Sequence, residues 1–207
     1  MNAVEQLFQL SSTPNGFAQG YCDYLGQLFK RLDYVQIGAF IDTLLQARQR
    51  GARIFFIGNG GSAATASHFA NDIAIGSRSR VRPFRAVSLC DNLALITAIG
   101  NDFGYDQVFV RQLENQMDAG DVVVAISASG NSPNLLRAIE YAREHGGLTV
   151  GLTGFDGGQL RGMVQLSVHV PSNPGEYGPV EDVHMILDHL VGGYLMLSVR
   201  AESALSP

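Results

Sequence analysis

Five short runs of continuous apolar character punctuate the chain after residue 51: Arg53–Ile57, Ala86–Leu89, Val122–Ile126, Leu148–Leu152 and Leu166–Val170. A strand with one wet face alternates apolar and polar residues, so runs without alternation belong to strands covered on both faces, the habit of parallel sheets. Helix-length segments separate them, about Ala63–Ile73, Leu93–Ile99, Tyr105–Met117 and Pro133–His145, and a last helix spans about Val180–Arg200. Strands alternating with helices imply right-handed crossovers and a doubly wound sheet.

Ahead of this core, Tyr21, Leu25, Leu28, Leu32, Ile37, Phe40, Ile41, Leu44 and Leu45 recur at helical spacing, in two helices within residues 20–50 broken near Asp33. Their apolar stripe needs a partner, either the chain's own sheet or another subunit. Residues 51–200 then form the α/β core and C-terminal helix, and 207 residues suit one domain over 1–207 with no linker or repeat. Charged residues are only 16% of the chain and hydrophobic ones 46%, which points to buried subunit contacts and excludes a disordered chain.

A net charge of −5 gives no electrostatic reason to approach nucleic acid or an anionic membrane. Lys30 is the only lysine and lies outside any glycine loop, which argues against a Walker-type phosphate loop or a lysine Schiff base. Cys22 and Cys90 are far apart and read as small hydrophobes in a reducing compartment. No basic leader and no run of about 18 apolar residues is present, so a cytoplasmic location is expected.

Two loops carry the chemistry. Gly58-Asn59-Gly60-Gly61-Ser62-Ala63 follows the first strand and opens a helix, so its amides can turn to an anion without a Cβ in the way. Ser127-Ala128-Ser129-Gly130-Asn131-Ser132 repeats the arrangement after the third strand, just before Pro133, where hydroxyls at a helix start can surround a phosphate; an ordinary capped turn has the same composition. Gly58, Gly60 and Ala63 also satisfy G-x-G-x-x-A, with Asp91 as a ribose-binding acid, so a nicotinamide-dependent oxidoreductase competes. That motif leaves the serine cluster without a role, and two anion loops better suit one small phosphorylated ligand.

With Gly58–Ala63, Asn101-Asp102, Ser127–Ser132 and Leu152-Thr153-Gly154 taken together, the chain resembles the sugar isomerase (SIS) domain family, specifically the phosphoheptose isomerases, over about residues 20–200. The resemblance implies a three-layer α/β/α sandwich with a five-stranded parallel sheet and an N-terminal helical extension, assembled as homotetramers with active sites between subunits. It implies a sugar-phosphate aldose–ketose isomerase converting sedoheptulose 7-phosphate to D-glycero-D-manno-heptose 7-phosphate. By position, Asn59, Gly60, Gly61 and Ser62, with Asn101 and Asp102, line the sugar, while Ser127, Ala128, Ser129 and Ser132 hold the phosphate.

The resemblance further implies one zinc ion per subunit on His68, Asp72, Glu181 and His189, and no nucleotide cofactor; Asp72 and His189 are the implied base and acid, with Glu181 in the catalytic set. The family has glutamate at position 72 and glutamine at position 181. His68 and Asp72 share a helix face, and Glu181 and His189 lie about 80° apart around theirs. The same residues also read as plain intrahelical pairs, His68–Asp72, Glu181–His184 and His184–Asp188. A non-catalytic relative, a sugar-phosphate sensor or a partner of the replication initiator, is the alternative that the changed acids favour. The retained histidines and the carboxylates at both changed positions favour an enzyme.

Overall fold

The computed structural model of the chain describes residues 1–78 and 82–205; residues 79–81 and 206–207, within the expected 1–207 span, lie outside the described residues. All five apolar runs are strands: β1 Arg53–Gly58, β2 Arg85–Ser88, β3 Val122–Ser127, β4 Leu148–Thr153 and β5 Leu166–His169. They form one parallel sheet in the order β2-β1-β3-β4-β5. Every residue of β3 is buried, whereas the edge strands β2 and β5 are short and partly exposed.

Alternate strand residues feed two cores. Ile54, Phe56, Val124 and Leu152 face α2 (Pro14–Lys30), α3 (Tyr34–Arg50), α4 (Gly61–Asn71) and α9 (Tyr177–Leu205). Phe55, Ile57, Val123 and Ala125 face α5 (Leu93–Asp102), α6 (Val110–Gln116), α7 (Pro133–Glu144) and α8 (Gly158–Met163). The result is the expected three-layer α/β/α sandwich. Period-2 geometry explains why strands that read as unbroken apolar runs serve both layers.

The break near Asp33 is a helix cap: its carboxylate accepts hydrogen bonds from the amides of Val35 (2.9 Å) and Gln36 (3.3 Å) at the start of α3. Ile37, Phe40, Leu44 and Ala47 of α3 are buried in the first core, so this helix packs on the chain's own sheet. Ahead of it a helix α1, Ala3–Leu10, begins with a reciprocal Asn2–Glu5 capping box and buries no residue.

Three expected helices differ. The segment 105–117 splits into a single 3₁₀ turn, Tyr105–Gln107, and α6, with the buried Val108 and Phe109 between them, both still in the right-handed helical region. The helix 63–73 starts at Gly61 and passes at Asp72 into a π turn, Asp72–Gly76, a distortion that often marks functional sites. The last helix begins three residues earlier than expected, at Tyr177.

Two contacts seat α4 on the sheet. Phe69 stacks on Phe56 with ring centroids 5.0 Å apart, worth about 0.5–1.5 kcal/mol beyond burial alone. At its start, the first turn rests on the end of β1, so closely that a Cβ on Gly58 would stand 2.5 Å from the Ser62 carbonyl oxygen.

Candidate active site

The sheet order changes direction between β1 and β3: β2 lies on one side of β1 and all later strands on the other. Gly58 pairs with Ile126, so the chain leaves both strands at the same height and the two loops start side by side at this switch point. Crevices of this kind at strand C-termini are where open α/β sheets bind ligands.

In the first loop Gly60 has φ +54°, ψ −123°, a conformation closed to residues with a Cβ, and it delivers the chain into α4 with no side-chain cap. The unpaired amides and dipole of that first turn therefore face the crevice. Gly60 and Gly61 are exposed, and Ser62 is buried. Asn59 is clamped by a reciprocal amide pair with Asn134: each Nδ2 donates to the other's Oδ1 at 2.9 Å. The Tyr105 hydroxyl also donates to Asn59 Oδ1 (3.0 Å), which brings the segment after α5 to this loop. Asn101 and Asp102, at the end of α5, are exposed and pair with each other at 2.8 Å.

The second loop is closed by its own hydroxyls. Ser127 Oγ accepts from the Gly130 amide (3.0 Å), and Gly130 has φ +64°. Its carbonyl in turn accepts from the Leu160 amide (2.9 Å), which backs the loop with the first turn of α8. Ser127 and Ala128 are buried, and Ser129 and Ser132 are partly exposed. Ser132 sits at the N-cap of α7 without capping it, which leaves its hydroxyl available to a ligand.

A third group gathers between α4 and α9. The two helices run side by side in the same direction: Glu181 lies against Gly61, and Gly192 against Asp72. His68 Nε2 is 3.3 Å from His189 Nε2, 3.5 Å from Asp72 Oδ2 and 3.7 Å from Asp188 Oδ2. Donor atoms of all four side chains lie within 4.8 Å of one another, close enough to serve one metal ion. His68, Asp72 and His189 thus meet as expected.

Glu181 does not join them. It stands seven residues before Asp188, a rise of about 10 Å along the helix. Its carboxylate instead covers Gly61, where a Cβ would lie 2.6 Å from its Cδ. Burial, and secondarily the charge of Asp182, raise its pKa. Asp188 takes the fourth place. It is fully buried, neither carboxylate oxygen has a hydrogen-bond partner, and burial, with Asp72 nearby, pushes its pKa up to about 7.

The signal for Asp188 was its place beside His189, four residues after His184, but helical spacing suggests an ordinary pair there. That pair does not form: His184 turns its Nε2 to the Thr153 carbonyl (3.4 Å), and burial holds its pKa down to about 4. Asp91, the acid a dinucleotide ribose requires, accepts a short hydrogen bond from Ser67 Oγ.

A family model described as SIS domain matches residues 20–154. The phosphoheptose isomerase of Geobacter metallireducens is 44% identical over 156 residues, which are 75% of this chain and 82% of that protein. This chain belongs to the SIS domain family, in its phosphoheptose isomerase branch. Its relative from Geobacter sulfurreducens, also a phosphoheptose isomerase, is 42% identical over 156 residues, with the same coverage. Among solved structures, the phosphoheptose isomerase of Neisseria gonorrhoeae superposes with a TM-score of 0.75 at 32% identity, covering 83% of this chain and 91% of that one. The Francisella tularensis enzyme, at 24% identity and a TM-score of 0.78, shares the SIS fold over 88% of this chain and 98% of its own. Among the described residues no helix is long and apolar enough to cross a membrane.

Proposed function

We propose that this SIS protein is a phosphoheptose isomerase, interconverting sedoheptulose 7-phosphate and D-glycero-D-manno-heptose 7-phosphate within a single domain over residues 1–207. The observation that carries this reading is the juxtaposition of two anion loops at the switch point with a histidine–carboxylate group two turns further along α4. Gly61 and His68 are seven residues apart, a rise of about 10 Å, which an extended seven-carbon chain spans with its phosphate at the loops and its carbonyl end at the imidazoles.

In this reading Ser127, Ser129, Ser132 and the amides of Ala128 and of the α4 start hold the phosphate, as charge-assisted hydrogen bonds to an oxyanion favour. Asn59, Gly60, Gly61, Ser62, Asn101 and Asp102 border the sugar hydroxyls. Asp72 takes a proton from C1 and returns it to C2, the former carbonyl carbon, while His189 protonates the C2 oxygen as the enediol forms and the O1 hydroxyl gives up its proton as the aldehyde forms. Glu181, beside Gly61, borders the same crevice.

The two imidazoles and two carboxylates between α4 and α9 suit zinc, and a buried carboxylate without partners supports a cation there. When bound, zinc would polarise the carbonyl oxygen. Ile186, Leu190, Tyr194 and Leu197 leave an exposed apolar stripe on α9, which supports a homotetramer. Cys22 and Cys90 are free thiols, which suits the cytoplasm.

The test is to incubate purified protein with C5 to C7 ketose phosphates, with and without zinc. Turnover of the C7 ketose is expected, and Asp72→Asn and His189→Ala are expected to abolish it with the circular dichroism spectrum unchanged. Full turnover in both variants would remove these residues from the mechanism. Binding of the ketose without turnover in the parent protein would make it a sensor.

A further inference from the structure

We infer that Asp188, and not Glu181, completes the cation site of this protein with His68, Asp72 and His189. The inference rests on the reading of the crevice above and concerns only how its metal group is built. Asp188 is the residue that the fold least explains without a ligand. On α9 it is flanked by Val183, Leu187 and Val191, all buried in the first core, and it shares that burial. A carboxylate taken out of water with neither oxygen hydrogen-bonded is strongly unfavourable unless a charge meets it. Its Oδ2 points to His68 Nε2, 3.7 Å away, into the group formed by Asp72 and His189.

The three separations from His68 Nε2 are close to those around a tetrahedral ion. Metal–ligand bonds of about 2.1 Å at tetrahedral angles set neighbouring donor atoms about 3.4 Å apart. His68 Nε2 stands 3.3 Å from His189 Nε2, 3.5 Å from Asp72 Oδ2 and 3.7 Å from Asp188 Oδ2. The two imidazole Nε2 atoms face each other across the first of these gaps, an arrangement that a shared cation also satisfies. Two carboxylates balance a divalent charge, and two imidazoles favour zinc, cobalt or another first-row ion over magnesium or calcium. Glu181 is separated from this set by two turns of α9 and is seated on Gly61, which leaves its carboxylate beside the anion loops.

Zinc is the probe. Chelator-stripped protein is titrated with Zn²⁺ by calorimetry, and its thermal unfolding is followed with and without the ion, for the parent chain and for Asp188→Asn, Asp188→Leu and Glu181→Gln. The parent and Glu181→Gln are expected to bind one ion per chain with equal affinity, within about threefold, and to gain thermal stability with zinc. Both Asp188 variants are expected to lose at least about 100-fold in affinity, more than removal of an outer-shell partner brings, and to gain no stability from zinc. Their metal-free melting temperatures should match or exceed the parent's, because an unpartnered buried carboxylate has been removed; this separates loss of a ligand from loss of the fold.

Zinc affinity retained in Asp188→Leu, or lost equally in Glu181→Gln, overturns the inference, as does a metal-free melting temperature in both Asp188 variants well below the parent's. The isomerase reading fails separately: zinc binding that depends on Asp188 in a protein without turnover of any ketose phosphate leaves the ligand set standing. Turnover with unaltered zinc binding in Asp188→Leu does the reverse.

Discussion

The clamp between Asn59 and Asn134 offers a measurement of how rigidly the first loop is held. Asn134 is 2% exposed, and its amide makes two reciprocal 2.9 Å hydrogen bonds with Asn59 while its Oδ1 also accepts from the Leu135 amide (3.0 Å). At about 1 kcal/mol net per hydrogen bond, the reciprocal pair contributes about 2 kcal/mol. Asn59→Ala leaves the buried Asn134 Nδ2 without a partner, so its cost should reach about 3 kcal/mol, against about 2 kcal/mol for Asn134→Ala, where water reaches half-buried Asn59 and the Leu135 amide keeps the Ser132 carbonyl (3.0 Å). Because both variants delete the same two bonds, the double variant should cost about 3 kcal/mol rather than about 5, a coupling of about 2 kcal/mol. Urea unfolding at 25 °C, at one fixed protomer concentration so that subunit association does not intrude, gives the four free energies. Additive costs, with coupling below about 0.5 kcal/mol, would refute the clamp. In the isomerase assay Asn134→Ala should raise KM for the ketose phosphate while kcat falls less, since it loosens a loop that borders the sugar.

Gly130→Ala places a methyl 2.7 Å from the Gly157 carbonyl carbon at a φ of +64°, so the serine loop must shift; the backbone conformation alone costs about 1–2 kcal/mol, and KM should rise at least about tenfold. An unchanged KM would take that loop out of substrate binding. Gly61→Ala behaves differently, because its obstacle is the flexible end of Glu181: stability should move by less than about 1 kcal/mol, while turnover falls as the Glu181 carboxylate is displaced from the crevice. Equal turnover in this variant would show that the position of Glu181 is immaterial.

Acid should destabilise the protein in a defined window. The folded state holds His184 near 4 against 6.5 for the free side chain, so the stability is present above 6.5 and is lost as pH falls from 6.5 to 4, on the order of 3 kcal/mol. His169, also held near 4, chiefly by burial, titrates in the same window. Urea unfolding across this range should show a shallower slope for His184→Leu than for the parent, and identical slopes would refute the assignment.

Much of this architecture is written in local pattern. Unbroken apolar runs such as Val122–Ile126 specify strands covered on both faces, because no other arrangement hides both sides of a pleated ribbon. Glycines 58, 60 and 61 and the serine cluster before Pro133 mark the two turns from strand to helix, since backbone freedom and cap chemistry act within a few residues. Asp33 announces the helix break by the same local rule. The SIS assignment rests on these elements.

What pairs across distant parts of the chain is not written that way. Helical spacing places His184 and Asp188 on one face, and Glu181 within reach of His189 in angle, but it cannot say which turn of α9 lies beside which turn of α4. The parallel packing of those helices seats Glu181 on Gly61 and Asp188 beside His68. Likewise, a segment that reads as one helix is interrupted at Val108 and Phe109, and the reciprocal amides of Asn59 and Asn134 join residues 75 positions apart. Periodicity orders side chains around an axis; only the packing of one axis against another sets their height, and a ligand site is chosen by height to within an ångström or two.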